Sequence, residues 1–487
     1  MKKIIVSLSL FFSFASIISC TEDTPVLTEI PQNSGSGTNT GTNPESTITH
    51  SGIITENETW SNTSIHLLED KVVVESGAVL TIEAGTVIKG LASNDVEDAS
   101  ALIIAKGGRI QAIGTSSDPI IFTAEDDAIL ADQTYPNGAP NLSAADVGLW
   151  GGLIILGNAR CSFKNDVEEL QIEGIPAEDT FGLYGGTNDA DDSGILRYVS
   201  IRHGGTNIGA GNEINGLTLG GVGAGTTLSH IEVYANQDDG IEFFGGNVNL
   251  SNALVWSQGD DAYDIDQAYS GNISNIVYIA GDESDHALEI DGREGAALTP
   301  ASRNQFTIAN ATFKGPGITA SGREMVDWRS NAEGAVTNSY FFNFGTDADV
   351  EIDGDGTKYL SVTSGSSKEV GDKVSNNPTL YDNYRNGSII FSGNEFKNDI
   401  GKAYNSIFAI KWSVAPSATS DSNGTFDAND TDDNRDPNAA PTATEIDTQE
   451  TRLQTENNSV ATKSANVGAD TSLLGWTLAF DTGVLDF

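Results

Sequence analysis

From Ile231 to Asp291 the apolar and polar positions alternate in short bursts: IEVYANQDDGIEFFGG, then NLSNALVWSQGDDAYDIDQAYSG, then NISNIVYIAGDESDHALEIDG. Each segment opens with an alternating strand, passes an acidic turn, and enters a second short strand that carries a carboxylate. Asp239–Glu242 falls over Asp261–Asp264 at a spacing of 22 residues, and Glu242, Asp264 and Glu289 hold like places, the last step being 25. Alternation with a period of two predicts strands. Recurrence every 20–30 residues or so predicts a solenoid whose turn holds about three short strands and three corners.

The same rhythm runs on both sides of this stretch. LTIEAGTVIKG, LIIAKGGRIQAIGT and DPIIFTA follow one another between Leu80 and Ala124, and WGGLIILGNA opens at Trp150. Glu125–Asp146 and Val167–Asp192 read as long polar loops. Later strands are expected at Phe306–Phe313, Ala335–Phe344, Val350–Ile352 and Ser388–Phe391. A sandwich would also give many short strands, but not ladders of like residues at a near-constant period. The three opening segments resemble the first coils of right-handed parallel β-helix proteins of the pectin-lyase type. That resemblance implies an all-β fold, a right-handed single-stranded parallel β-helix, over residues 60–412.

Outside that span the pattern changes. Met1–Ser19 has Lys2 and Lys3 before an apolar run, Ile4–Ile18, and reads as an export signal. The run ends in Ile17-Ile18-Ser19-Cys20, which resembles the lipobox of bacterial lipoproteins and implies cleavage before Cys20 and its lipidation. Residues 20–59 are rich in Ser, Thr, Gly, Asn and Pro and predict a disordered tether. Residues 413–487 predict an acidic linker and a capping segment. Within them Thr442–Asn458 suits a helix, and Leu473–Phe480 restores an apolar pattern fit to cover an open end of the solenoid.

Charge narrows the function. With 25 Lys and Arg against 69 Asp and Glu, the formal charge is −44. Such a field repels nucleic acid and favours cations. The only other cysteine, Cys161, leaves the mature chain no internal disulfide and reads as a small packed side chain.

Alternation turns the flanks of Glu242, Asp264 and Glu289 to the core, so the three carboxylates are expected to project outward, one above another. Asp266 and Asp291 stack one register along, and Asp327 and Glu351 continue the column. Like charges opposite each other cost roughly 0.2–1 kcal/mol per pair. Three remedies are open: solvent, nearby arginines (Arg293, Arg323, Arg329), or bound cations. Calcium is the candidate cofactor, since it takes six to eight oxygens or so. Its candidate ligands are Asp238, Asp239, Glu242, Asp260, Asp261, Asp264, Asp266, Glu289 and Asp291. His286, one of five histidines, is expected at a corner, hydrogen-bonded to its neighbours. The run Asp427–Asp436 is a further oxygen-rich loop without the EF-hand pattern.

The segments around Asp239–Glu242 and Asp260–Asp264 resemble the Asp-bearing coils of polygalacturonase-like hydrolases, which set paired carboxylates across a glycosidic bond. The later Gly-His-Gly and Arg-x-Lys elements of those enzymes are not recognisable here, and neither Arg293, Lys314, Arg323 nor Arg329 is singled out as a lyase base. No catalytic residue is assigned. The LTIEAGTVIKG and WGGLIILGNA segments resemble a group of Bacteroidota surface lipoproteins. The expectation is a non-enzymatic lipoprotein of the outer membrane or cell surface, membrane-held through its lipid and binding a glycan, a cation or an envelope protein. The alternatives are a polysaccharide-active hydrolase or lyase using the acids of residues 238–266, and a structural part of an envelope complex.

Overall fold

Every full turn of the chain lays down three short parallel strands, so successive turns build three parallel sheets. The computed structural model describes residues 46–92, 99–131, 141–206, 214–295, 305–320, 324–353, 380–398, 400–411 and 443–487. Sheet I runs from Glu58–Trp60 through Val79–Ile82 and Arg109–Ile113 to Ile389–Ser392. Sheet II runs from the first half of Ser46–Ile54 through Val87–Gly90 to Glu395–Lys397 and Asn458–Val460. Sheet III runs from the second half of Ser46–Ile54 through Val72–Val74, Ala101–Ile104, Leu153–Leu156, Leu217–Gly220, Ile241–Phe244, Tyr263–Asp266, Leu288–Ile290, Val326–Trp328 and Val350–Asp353 to Phe408–Lys411. The fold is a right-handed parallel β-helix.

The corner between sheets I and II explains how one long strand serves both. In Thr227–Tyr234, Asn249–Trp256 and Asn272–Ile279 a single residue turns the chain: His230, Asn252 and Asn275, all at φ near +55°. Asn310 and Asn338 do the same one and two coils on. Asparagine tolerates this left-handed conformation at less cost than most residues. The stacked side chains also bond to one another, Asn275 Nδ2 donating to Asn252 Oδ1 at 2.8 Å. Inside, one continuous apolar core runs from Trp60 to Leu453.

The solenoid opens earlier than expected. The strand Ser46–Ile54 pairs in parallel with Ser64–Val74, so paired strand is already present at Ser46, within the stretch assigned to the tether and ahead of Trp60. The helix expected at Thr442–Asn458 forms as Ala443–Glu456, and its Ile446 and Leu453 close the core at the last coil. That helix is the cap. The apolar tail does something else: Leu474, Leu478, Ala479 and Leu485 cover the outer face of sheet II at Tyr234, Leu254, Trp256, Val277 and Ile279. The tail therefore covers a flank and not an open end, because those outward residues are themselves apolar and need a partner. Cys20 and Asp427–Asp436 lie outside the described residues.

Candidate carboxylate site on sheet III

The alternation that builds sheet III sends Ile241, Phe243, Tyr263, Ile265, Leu288, Ile290, Val326, Trp328, Val350 and Ile352 into the core. Their neighbours must point the other way. Glu242 pairs with Asp264, Asp264 with Glu289, Glu289 with Asp327, and Asp327 with Glu351, so the expected column exists through its last two coils. Toward the N-terminus it continues as Thr218 and then Ile154.

Outward does not mean solvated. Glu242 is 5% exposed and Asp264 9%. The expected loop 167–192 is the reason: it makes a small hairpin, Leu170–Gln171 against Leu183–Tyr184, and folds back over the sheet. Ile172, Ile175, Phe163 and Tyr184 pack with the outward Ile154, Leu156 and Phe244, and the Tyr184 hydroxyl donates to Gln267 Oε1 at 2.8 Å. Solvent screening, one of the three remedies, is thus closed to the N-terminal part of the column.

At the corner before each strand the paired aspartates divide their work. Asp239 Oδ1 accepts the amide N–H of Asp261 at 2.8 Å, and Asp261 Oδ1 accepts the amide of His286 at 2.8 Å. The inner acid of each pair thereby ties its coil to the next, while Asp260 stays exposed and Asp238 half-buried. Asn215 heads this ladder and was not among the expected residues. Its side-chain amide donates to Glu242 Oε2 and to Thr218 Oγ1. The signal was present, since NGLT at Asn215–Thr218 falls over DGIE at Asp239–Glu242.

The column then splits by how its charge is met. Toward the C-terminus Arg329 bonds Glu289 and lies 3.7 Å from Asp291 and 3.9 Å from Asp327. His286 Nδ1 lies 2.7 Å from Asp261 Oδ1 and 3.6 Å from Glu289 Oε2, at the expected corner. Burial alone would lower its pKa, but the Asp261 hydrogen bond and the charges of Asp261, Asp285 and Asp327 prevail and raise it to about 9. The buried Arg293 acts on Glu333, and Arg323 lies outside the described residues. Lys314 sits elsewhere, beside the Phe487 ring on the sheet II flank.

Toward the N-terminus Asp239, Glu242 and Asp264 each offer a carboxylate oxygen, all within 4.8 Å of one another, and all three residues are buried. Asp264 Oδ1 is buried without a hydrogen-bond partner. Burial first, and then repulsion from neighbouring carboxylates, Asp261 and Asp266 among them, pushes all three well above the usual carboxylate range, and Asp266 with them. Arg329 opposes this at Asp264 and Asp266 but is the weakest of the influences there. Such a trio holds either protons or a cation. Its donors are all oxygen, which suits a hard cation of flexible coordination, and calcium fits that description better than zinc. A second trio, Glu324, Asp349 and Glu351, has Lys402 Nζ 3.1 Å from Asp349 Oδ2. Cys161 is packed beside the apolar cluster as expected, and burial pushes its thiol up to about 12.

Residues 52–413 match the family described as the pectate-lyase-like β-helix domain. No curated protein matches the chain. Among solved structures, a pectin methylesterase from Aspergillus niger is similar at 13% identity, over 56% of this chain and 70% of that one, with a TM-score of 0.24. The family match spans most of the coils described above, and the chain belongs to the pectate-lyase-like β-helix family.

Proposed function

We propose that this chain is a lipid-anchored surface protein, of the Bacteroidota lipoprotein type, whose β-helix binds calcium and presents an acidic face to a glycan or an envelope protein without catalysis. The observation that carries the cation is the buried trio Asp239, Glu242 and Asp264, with one Asp264 oxygen unpartnered. Calcium bound there would neutralise carboxylates that, among the described residues, form no ion pair with a lysine or arginine. Asp239, Glu242 and Asp264 would hold it, and Asn215 would fix the Glu242 carboxylate by its hydrogen bond.

Support for a non-catalytic role comes from the same geometry. A glycosidase needs two carboxylates open to a polymer, one of them protonated. Here Asp239, Glu242 and Asp264, pushed toward protonation, are enclosed, the half-buried Asp266 faces Asp291 and Glu294, and the half-buried Glu289, Asp291 and Asp327 all lie against Arg329. Support for the anchor is the Ile17–Cys20 motif and the apolar run before it. Among the described residues no helix is long and apolar enough to cross a membrane.

Three experiments test this. Expressed in a bacterial host that processes lipoproteins, the chain is expected in the membrane fraction and Cys20→Ser in the soluble one; equal partition of the two would remove the anchor. Thermal unfolding with calcium against chelator should differ by several degrees, and an unchanged midpoint would remove the cation. Release of reducing or unsaturated sugars from acidic glycans, lost in Asp264→Asn, would replace binding by catalysis.

A further inference from the structure

A second set of titratable groups sits in the first coil, on another sheet. The strand β1 (Ser46–Ile54) is exposed along its length except at His50 and Ile54, which are half-buried. Burying so little apolar surface, it depends on its ladder to β3 (Ser64–Val74) and on what His50 does. His50 Nε2 lies 2.8 Å from His66 Nδ1. Both rings stack with the indole of Trp60 in β2 (Glu58–Trp60), at centroid distances of 4.2 and 5.2 Å. Trp60 is fully buried and His66 2% exposed.

The protons can be placed by elimination. His66 Nε2 is 3.0 Å from the Ser61 carbonyl, which only accepts, so Nε2 carries the proton of a neutral His66. Its Nδ1 is then an acceptor, and His50 Nε2–H is the donor. His50 Nδ1 faces Glu58 Oε1 at 3.3 Å, and the same oxygen accepts from Trp60 Nε1 at 2.8 Å. The pair can therefore carry one positive charge, on His50 against Glu58. A second proton, on His66 Nδ1, would set N–H against N–H and place two cations in contact inside the coil.

We propose that His50 and His66 form an acid-sensitive latch that holds β1 on the solenoid near neutral pH and releases it in mild acid. The groups facing the pair are Glu58 on β2, which favours the first charge, and each imidazole itself, which opposes the second. Burial lowers both pKa values, in the direction the latch requires. For a histidine so depressed, the stabilisation is present above the unfolded value of about 6.5 and is lost as pH falls through the folded one. β1 is the outermost strand described, so its release breaks one strand interface and leaves the inner coils standing.

Hydrogen exchange on the full chain, corrected for intrinsic rate, tests the latch at about pH 7.5 and about pH 5, on either side of the histidine range. The expected result is a loss of about tenfold or more in protection of residues 46–54 at the lower pH, with residues 249–256 unchanged. His66→Phe keeps a ring in the stack and removes the second proton site, so its β1 should be protected equally at both pH values; His50→Phe serves where His66→Phe does not fold. Equal wild-type protection at both pH values would overturn the proposal, as would a pH-dependent loss that survives in the folded phenylalanine variant.

Discussion

Asp264 has carboxylates before, behind and beside it, and one oxygen that no donor reaches. A bare charge there costs several kcal/mol or so. With calcium chelated, the trio must hold protons, and the direction of its pH dependence follows. An acid whose folded pKa is raised contributes stability that is complete below the ordinary carboxylate range of about 4 and lost as pH rises through the folded value. The chelated protein should therefore lose thermal midpoint as pH rises above the ordinary carboxylate range, and calcium should restore it. Asp264→Asn should flatten that slope and abolish the calcium gain. A full calcium shift in the variant would place the ion elsewhere.

His286 lies at the other end of the same logic. Its pKa, raised to about 9, makes its stabilisation complete below about 6.5 and lost as pH passes about 9. With its side chain 13% exposed, the contribution is on the order of 3 kcal/mol. Equilibrium denaturation at pH values on either side of 9 should show that loss in the wild type and not in His286→Asn.

At the scale of elements, two devices hold strands and tail in place. The stacked asparagine corner gives Asn275 a left-handed backbone and a bond to Asn252. Asn275→Ala should cost about 1–2 kcal/mol by denaturant unfolding, and Asn275→Gly distinctly less, because glycine escapes the conformational penalty. The tail is pinned by Glu232, fully buried on the outer face of sheet II. Its carboxylate accepts the amides of Leu478 and Ala479, each at 3.1 Å, together with Trp256 Nε1 and Ser200 Oγ. Glu232→Ala should make residues 469–487 cleavable in limited proteolysis while the coils stay resistant. Simultaneous loss of coils and tail would mean that the tail is part of the solenoid's cooperative unit.

Across the whole molecule, the unneutralised carboxylates sit in the middle coils of a stack in which each coil rests on its neighbours. Charge at Asp239, Glu242 and Asp264 therefore weakens two interfaces at once, and chelation is expected to lower the midpoint of the entire β-helix rather than fray one end. A formal charge of −44 adds a general repulsion that a bound cation also relieves.

The strands, their repeat and the identity of the outward carboxylates were legible in the chain, because a two-residue alternation and a coil period of some twenty to thirty residues are local patterns that any stacking must respect. Even Asn215 was within reach through its register with Asp239. What lay beyond it was which parts of the column are covered. Whether Glu242 is solvated depends on a loop some seventy residues earlier folding back through Ile172, Ile175 and Tyr184. Whether Glu289 is neutralised depends on Arg329, and whether sheet II is bare depends on a tail anchored at Glu232. The first strand's place rests likewise on His50 meeting His66 across two coils. Alternation tells a side chain which face of its own strand it takes; burial and charge are set by whatever distant segment lands on that face, and only the tertiary structure decides that.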